Sequence, residues 1–150
     1  MKTWGIGYEK SKEKARQIYR KIGIISSPAL GGSDVVFGAI GFNHLVRKGR
    51  IPRPRNEQKK RFVLLEYVEA IIKNPVAKIK YRQEIGKVKI NRYGKILLKD
   101  SIIHFWTFFE KIEDCEVKVV ISQVESGKKH FLSIMGNNVQ IDNKNYNHNK

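Results

Sequence analysis

Cysteine and long apolar runs are the scarcest features of this chain. It contains one cysteine, Cys115, so an internal disulfide is excluded, and no CxxC or CxxH pair predicts a zinc site. No apolar run reaches the roughly 18 residues that cross a membrane, and the N-terminus lacks the apolar core of a signal peptide. The sequence therefore predicts a protein of the cytoplasm, whether it is made there or delivered into the cytoplasm of a target cell, with no membrane partner.

Acidic residues are also few. Lysine and arginine number 30 against 14 acids, which gives a formal net charge of +16. Charge of this sign attracts polyanions, and nucleic acid is the first candidate. Solubility alone, or binding to an acidic protein, would explain the same charge. The acids are too scattered for a Mg²⁺ nuclease, and no P-loop or GxSxG sequence occurs, so the sequence predicts no metal and no cofactor.

The hydrophobic pattern changes once along the chain, and this change predicts the fold class. Helical spacing dominates up to Pro75, and alternation of apolar and polar residues dominates from Ala77 onward. The sequence therefore predicts an α+β fold in which N-terminal helices pack on a three- to four-stranded antiparallel β-sheet meander. One domain is predicted over residues 1–136, with its core at about 38–136. The Asn-rich tail, 137–150, is predicted to be disordered.

Local signals predict where the helices start and end. Ser11 is a candidate N-cap for a basic amphipathic first helix. Asn56 is a candidate N-cap for a second helix, which Asn74-Pro75 ends because the residue before proline avoids the helical region. Between the two helices, the segment ISSPALGGSD is rich in Ser, Gly and Pro and is predicted to be a loop. A strand or turn is then expected to present His44.

Two blocks carry most of the positive charge. Residues 44–61 and residues 78–99 each contain eight basic residues and one acid, so each block has a net charge of +7. In the first block, RIPRPR contains two prolines and is predicted to be an exposed arm of guanidinium groups, which suit phosphate oxygens. A solvated charge run is the alternative interpretation. The acids gather instead in EKIEDCE, and such asymmetry is expected when one face meets nucleic acid.

Three histidines precede the tail, and each has a different predicted setting. His104 falls in SIIHFWTFF on the same strand face as Trp106, and a histidine among aromatic residues is predicted to serve structure. His130 falls in KHFLSIM, where a regular strand puts it on the face opposite Ser133. Only a bulge or a terminal twist would let both line one site. His44 stands at the start of the first basic block.

Three motifs carry a resemblance to a known family: GFNHLVRKG, RNEQKKRFVLL and VVISQVESGKKHFLSIM. Together they resemble the barnase/EndoU/colicin/RelE-like nuclease superfamily (the BECR fold), in particular its phage- and polymorphic-toxin-associated branch, over about residues 38–136. The resemblance implies a small metal-independent ribonuclease toxin restrained by an immunity or antitoxin protein, which would be acidic. Where the family pattern has a basic residue near the end of the penultimate strand, this chain has Ser122-Gln123. The resemblance places functional groups at His44, Arg47, Lys48, His130 and Ser133.

The histidines and cations suggest a reaction that needs no metal. RNA supplies its own nucleophile, the 2′-hydroxyl, so one imidazole can remove its proton while a cation stabilises the phosphorane and a second acid protonates the leaving oxygen. Cleavage of tRNA or mRNA would then leave a 2′,3′-cyclic phosphate. The candidate catalytic residues are His44, His130, Lys48 and Ser133. The candidate nucleic-acid-binding residues are Arg47, Arg50, Arg53, Arg55, Lys128 and Lys129.

Two other functions fit the same sequence. The first is a non-catalytic RNA- or DNA-binding module of phage or mobile-element origin that kept the sheet and lost the chemistry. Binding that falls with salt, with no RNA product that depends on His44 or His130, would favour this module. The second is an enzyme that acts on DNA, which cleavage of duplex DNA would favour.

Overall fold

A computed structural model of the protein describes residues 1–142, which form three α-helices and eight β-strands. The helices are α1 (Tyr8–Ile22), α2 (Ala39–Val46) and α3 (Arg55–Lys73). The strands are β1 (Ile24–Ser27), β2 (Ser33–Val36), β3 (Arg47–Lys48), β4 (Ile51–Pro52), β5 (Lys78–Arg92), β6 (Lys95–Ile112), β7 (Cys115–Val124) and β8 (Lys129–Gly136). No helix within residues 1–142 is both long enough and apolar enough to cross a membrane.

Six of the strands form one mixed sheet in the order β1-β2-β8-β7-β6-β5, and β3 pairs separately with β4. The neighbours from β5 to β8 are antiparallel and follow chain order, as in a meander. The prediction of a sheet with only three or four antiparallel strands is wrong, because β2 joins the sheet parallel to β8. The fold is therefore α+β with helices and strands interleaved in the first half of the chain.

The two unpredicted strands of this sheet lie in the segment expected to be a loop. β1 and β2 pair antiparallel, and the 3-10 turn Pro28–Leu30 connects them. Ile25 and Val35 are the buried apolar side chains of this hairpin, so its apolar alternation is too short to signal strands. The expectation that a strand or turn presents His44 is also wrong, since His44 lies in α2.

The core lies between one face of the sheet and the helices. α3 packs against β8 and β1, α1 packs on α3, and α2 packs against β8. The helical spacing of apolar residues that predicts the second helix is confirmed in α3, where the apolar stripe of Phe62, Leu65 and Val68 is almost fully excluded from solvent. The predicted end of α3 is also confirmed: the helix stops immediately before Asn74-Pro75.

The N-termini of α1 and α3 differ from the predicted ones. α1 begins at Tyr8, three residues before the predicted cap Ser11, whose hydroxyl donates to the carbonyl of Ile6 at 3.4 Å. α3 begins at Arg55, so the predicted cap Asn56 is its second residue. Neither helix has a side-chain cap, because the residue before each start is a glycine or a proline. Both cap predictions are therefore wrong.

The β5–β6 hairpin extends beyond the rest of the sheet. β7 pairs only with residues 103–112 of β6, so residues 86–101 pair only with each other, around a turn at Tyr93-Gly94. We call residues 86–101 the β-arm. Most of its residues are exposed. Its charged side chains are five bases and one acid: Lys87, Lys89, Arg92, Lys95, Lys99 and Asp100.

The segment after β8 returns to the N-terminus. Lys2 forms a parallel bridge with Gln140, and Val139 is buried. The thiol of Cys115 donates to the carbonyl of Asn137 at 2.6 Å. Residues 137–142 thus contact the folded domain, and the disorder predicted for residues 143–150 lies outside the described residues.

Candidate nucleic-acid interface

His44 lies near the C-terminal end of α2, and the chain that follows folds back onto that end. The backbone amide of Arg53 donates to the carbonyl of Val46 at 2.8 Å, and its guanidinium Nε donates to the carbonyl of His44 at 2.9 Å. These carbonyls have no partner within the helix, and a cation is favourable at the negative end of the helix dipole. Arg53, predicted to be part of an exposed arm, is therefore half-buried and fixes the backbone around His44.

A second guanidinium lies behind this helix end. Arg61 is buried in α3, where its Nη1 donates to the carbonyl of Ile134 at 3.0 Å and its Nε donates to Glu57 at 3.2 Å. Burial, and then the charges of Arg53 and Arg61, lower the pKa of His44 below its ordinary value. Burial and the charge of Arg61 also lower the pKa of Arg53. His44, Arg53 and Arg61 thus lie close together, with Glu57 as the nearby acid. A bound anion would reduce the electrostatic repulsion among these basic groups.

The other predicted nucleic-acid-binding residues of the first basic block reach solvent. Four of its cations are exposed: Arg47, Lys48, Arg50 and Arg55. A shallow cleft of about 180 Å³ brings His44 and Arg47 together, and it is completed by Ile40, Asn43 and Gly49. Exposed cations around a half-buried imidazole give this end of α2 the means to hold a phosphate group.

A β-bulge in β8 changes the relation between His130 and Ser133. Phe131 pairs with Ile121 and Ser133 pairs with the adjacent Val120, so Leu132 is an extra residue in β8. The extra residue shifts the alternation, and His130 and Ser133 therefore lie on the same face of the sheet. This meets the geometric condition for a site that uses both, although Ser133 is largely buried.

The structure does not join His130 directly to His44. His130 lies at the start of β8, opposite Val36 and Ser122. α2, which carries His44, packs on the face of β8 that carries Phe131, whereas His130 points to the opposite face of the sheet. Within residues 1–142, no hydrogen bond links the two imidazoles. A single catalytic pair made of His44 and His130 therefore stays a hypothesis.

The two lysines before His130 differ in their surroundings. Lys128 is exposed in the turn between β7 and β8. Lys129 points to the helix-facing side of the sheet, where its Nζ lies 3.1 Å from Ser33 Oγ and 5.1 Å from the ring centroid of Trp106. Lys129 thereby joins a group of residues on that side that the sequence did not bring together.

This group is a row of rings on neighbouring strands. The ring centroids of Tyr81 and His104 are 5.9 Å apart, those of His104 and Trp106 5.8 Å, and those of Tyr81 and Trp106 5.5 Å. Tyr81 pairs with Trp106, and Gln83 pairs with His104, which in turn pairs with Gln123. We call Tyr81, Gln83, His104, Trp106 and Lys129 the sheet cluster. Its rings form a partly exposed aromatic surface beside a cation.

Hydrogen bonds within the sheet cluster orient the imidazole of His104. The hydroxyl of Tyr81 lies 2.6 Å from His104 Nδ1 and 3.1 Å from Gln83 Oε1. A hydroxyl has one proton and an amide oxygen only accepts, so both bonds form when Nδ1 donates to Tyr81 and Tyr81 donates to Gln83. In that tautomer Nε2 of the neutral imidazole is a proton acceptor. In that tautomer the cluster places a proton-accepting nitrogen next to an aromatic surface and a lysine.

No match to this chain emerges from a scan against protein-family models, a search of curated proteins or a search of solved structures. The resemblance to the nuclease superfamily therefore stays a prediction. Within residues 1–142, no three His, Cys, Asp or Glu side chains come together as metal ligands would. The side chains at the end of α2 around His44 and those of the sheet cluster therefore carry the functional argument.

The alternation that places His104 and Trp106 on one face is confirmed by the strand register. The sequence did not predict which residues contact His104 and Trp106. Tyr81 lies 23 residues before His104, and Lys129 belongs to a different strand, β8. The segment KIKYRQ contains a signal, since alternation puts Tyr81 and Gln83 on one strand face. Only the pairing register shows that this face is the one that carries His104.

Proposed function

We propose that the protein is a metal-independent endoribonuclease that binds RNA on its basic surface and cleaves it at the sheet cluster. The observation that carries the proposal is the hydrogen-bonded chain from His104 through Tyr81 to Gln83, which leaves Nε2 of His104 to accept a proton. Lys129 and Trp106 lie beside this chain. RNA cleavage without metal needs a general base, a cation to stabilise the phosphorane and an acid for the leaving oxygen, and an aromatic surface can hold a base of the RNA.

The reaction follows from these positions. Nε2 of His104 takes the proton of a 2′-hydroxyl, and the 2′-oxygen forms a bond to the adjacent phosphorus. The ammonium of Lys129 stabilises the charge on the phosphorane and gives a proton to the departing 5′-oxygen. The bond from phosphorus to that oxygen breaks, which leaves a 2′,3′-cyclic phosphate on one fragment and a 5′-hydroxyl on the other. Trp106 would hold a base by stacking.

The first test is cleavage of total RNA or purified tRNA in EDTA, with the product ends identified. Wild-type protein is expected to give 2′,3′-cyclic phosphate ends. His104→Ala is expected to lower the rate by about 100-fold or more, because a general base contributes about 10²- to 10⁴-fold. Tyr81→Phe keeps the ring but removes the hydroxyl, so it is expected to show a smaller loss. Cleavage that appears only with added Mg²⁺ would contradict the proposal.

The alternative proton-transfer pair is His44 with His130, supported by Lys48 and Ser133. Substitution of each histidine by alanine in the same assay separates the two sites. Loss of cleavage in His44→Ala and His130→Ala, with full activity in His104→Ala, would move the chemistry away from the sheet cluster. Retained activity in His130→Ala together with loss of activity in His104→Ala would support cleavage at the sheet cluster.

A second candidate function is RNA binding without cleavage. The stacked rings beside Lys129 favour it, because aromatic side chains next to cations are how many proteins hold single-stranded RNA. Salt-sensitive binding together with unchanged RNA in every variant would support this function. Under either function the net charge of +16 offers a docking surface to an acidic inhibitory protein, which we include in the proposal.

A further inference from the structure

A second basic cleft, of about 240 Å³, lies between α1, the C-terminal half of α2 and the start of α3. Three cations line it: Lys12 and Arg16 from α1, and Arg47 from β3. No acidic side chain lines the cleft, and within residues 1–142 none of the three cations forms a salt bridge. Arg47 was predicted from the sequence to bind nucleic acid, whereas no residue of α1 was predicted to bind a ligand. The cleft is therefore a concentrated positive site that α1 completes.

Two aromatic rings, Tyr8 and Phe42, line this cleft, and each lies beside one of its cations. The guanidinium of Arg16 lies 5.7 Å from the ring centroid of Phe42, and Nζ of Lys12 lies 5.8 Å from that of Tyr8. The guanidinium of Arg55 lies 4.5 Å from the same Tyr8 ring. Cation–π contacts of this kind attract without neutralising the positive charge, so it stays available to an anion.

Hydrogen bonds also fix the walls before any ligand binds. The hydroxyl of Tyr8 donates to Gln58 Oε1 at 2.6 Å, and Gln58 Nε2 donates to the carbonyl of Arg53 at 2.8 Å. Gln58 itself is 3% exposed. Tyr8 and the chain around Arg53 are therefore tied to one buried side chain, so this wall of the cleft is ordered before a ligand enters.

The charge of the cleft selects among phosphate groups. A phosphodiester in a nucleic-acid backbone carries one negative charge, whereas a phosphate monoester carries about 1.5 to 2 at pH 7. Three unpaired cations without an acid match the more highly charged group. The two aromatic walls add surfaces on which the attached terminal base can stack.

We propose that this cleft binds the terminal phosphate monoester of a nucleic-acid strand, with Lys12, Arg16 and Arg47 around the phosphate and Tyr8 or Phe42 against the terminal base. The choice of a nucleic-acid strand as the carrier rests on the proposed RNA function. The cleft shares Asn43 and Arg47 with the smaller cleft at His44, so a strand held by its end continues toward that histidine. The site would let the protein distinguish strand ends from internal backbone.

The test uses a ten-nucleotide DNA of one sequence, which lacks 2′-hydroxyls and cannot be cleaved by the proposed reaction. Three versions carry a 5′-phosphate, a 3′-phosphate or no terminal phosphate. In each version the fluorophore is attached to an end that has no phosphate. Affinity for the intact wild-type protein is measured by anisotropy at about 0.15 M salt, where exposed charges are screened beyond about 8 Å. Wild type is expected to bind one phosphorylated version about 5- to 20-fold more tightly than the unphosphorylated one.

Variants of α1 decide whether this preference comes from the cleft. Arg16→Ala is expected to abolish the preference, and Arg16→Lys to keep part of it. Lys21→Ala is the matched control, because it removes the same charge from an exposed position of the same helix outside the cleft. Equal binding of all three oligonucleotides to wild type would overturn the proposal. Equal loss of preference in Arg16→Ala and Lys21→Ala would overturn it too, since net charge alone would then explain the effect.

The outcomes separate this site from the proposed activity. A terminal-phosphate preference that depends on Arg16, in a protein that does not cleave RNA, would leave the cleft established and the nuclease proposal wrong. Cleavage of RNA without any terminal-phosphate preference would do the reverse. Circular dichroism of Arg16→Ala tests that variant for a folding defect. Arg16→Lys, which keeps the charge and the stem of the side chain, is the second variant that keeps the proposal testable if Arg16→Ala does not fold.

Discussion

Gly41 is the residue on which the position of His44 depends most directly. It lies in the middle of α2, where it is buried against β8. A Cβ atom at this position would overlap the hydroxyl of Tyr19 and both the ring and the carbonyl of Phe131. The helix can therefore approach β8 closely only because this residue has no side chain.

We predict that Gly41→Ala lowers the free energy of unfolding by about 1 to 3 kcal/mol, the usual cost of overpacking a core. The estimate includes an opposing gain of up to about 1 kcal/mol, because alanine favours helix more than glycine does. Gly38→Ala is the control, since nothing lies within 4 Å of the added Cβ. Urea unfolding of both variants measures the difference. Equal stability of the two variants would show that α2 can move away from β8 without cost.

At the scale of elements, the β-arm is the part of the fold with the fewest neighbours. Residues 86–101 pair only with each other, and the arm exposes apolar side chains such as Ile96 and Leu98 as well as its five bases. The salt bridge between Lys87 and Asp100, 2.7 Å long, neutralises its single acid. An element that buries little contributes little to global stability, so its composition suits binding more than folding.

We predict that the β-arm can be replaced without unfolding the protein. The replacement joins Gly86 to Ser101, which are cross-strand partners, through the two-residue turn Asn-Gly. The melting temperature is expected to stay within about 5 °C of wild type, and affinity for single-stranded RNA is expected to fall about tenfold or more.

The control for the β-arm keeps its length and removes its charge, through Lys→Gln at Lys87, Lys89, Lys95 and Lys99. This full-length variant loses four positive charges. The shortened protein loses five bases and one acid, so its net charge also falls by four. Equal losses of affinity would assign the effect to charge, and a greater loss on shortening would assign part of it to the exposed apolar residues. Unchanged affinity in both variants would contradict a binding role.

Prediction from sequence succeeded for elements whose signal is local. The stripe of α3 and the alternation of β6 and β7 depend on neighbouring residues, and both are confirmed. In β8 the bulge at Leu132 interrupts the predicted alternation. β1 and β2 were missed because their place in the sheet is fixed by pairing with β8, so that Ser33 meets Lys129 across 96 residues. The sheet cluster was missed for the same reason. A strand face can be read from alternation, whereas the neighbours of that face depend on register between distant segments.

At the scale of the whole molecule, charge is distributed by position along the sheet. The second basic block occupies the edge strand β5 and the β-arm, whereas the turn between β6 and β7 carries Glu113 and Asp114. β6 runs from one end to the other, and its 18 residues correspond to about 60 Å. A polyanion is thus attracted more strongly to the end of the sheet that carries the β-arm than to the end that carries Glu113 and Asp114.

We predict that binding to single-stranded RNA depends steeply on salt. If six to ten phosphates are contacted, a plot of log K against log salt concentration has a slope of about −4 to −7. Anisotropy titrations between about 50 and 200 mM salt measure this slope. A slope shallower than about −2 would mean that only two or three phosphates are contacted. The basic surface would then serve solubility or an acidic protein partner instead.

The central place of β8 in the sheet has a consequence for the order in which the protein assembles. β8 is the last strand in the described chain, yet it is the one that joins β2 to β7. Until residues 129–136 leave the ribosome, the hairpin of β1 and β2 has no strand to dock on, and Lys129 is missing from the sheet cluster. Contacts between distant segments form slowly. The β1–β2 hairpin and the sheet cluster are therefore completed only once residues 129–136 are available to pair, after every other strand of the sheet has been made.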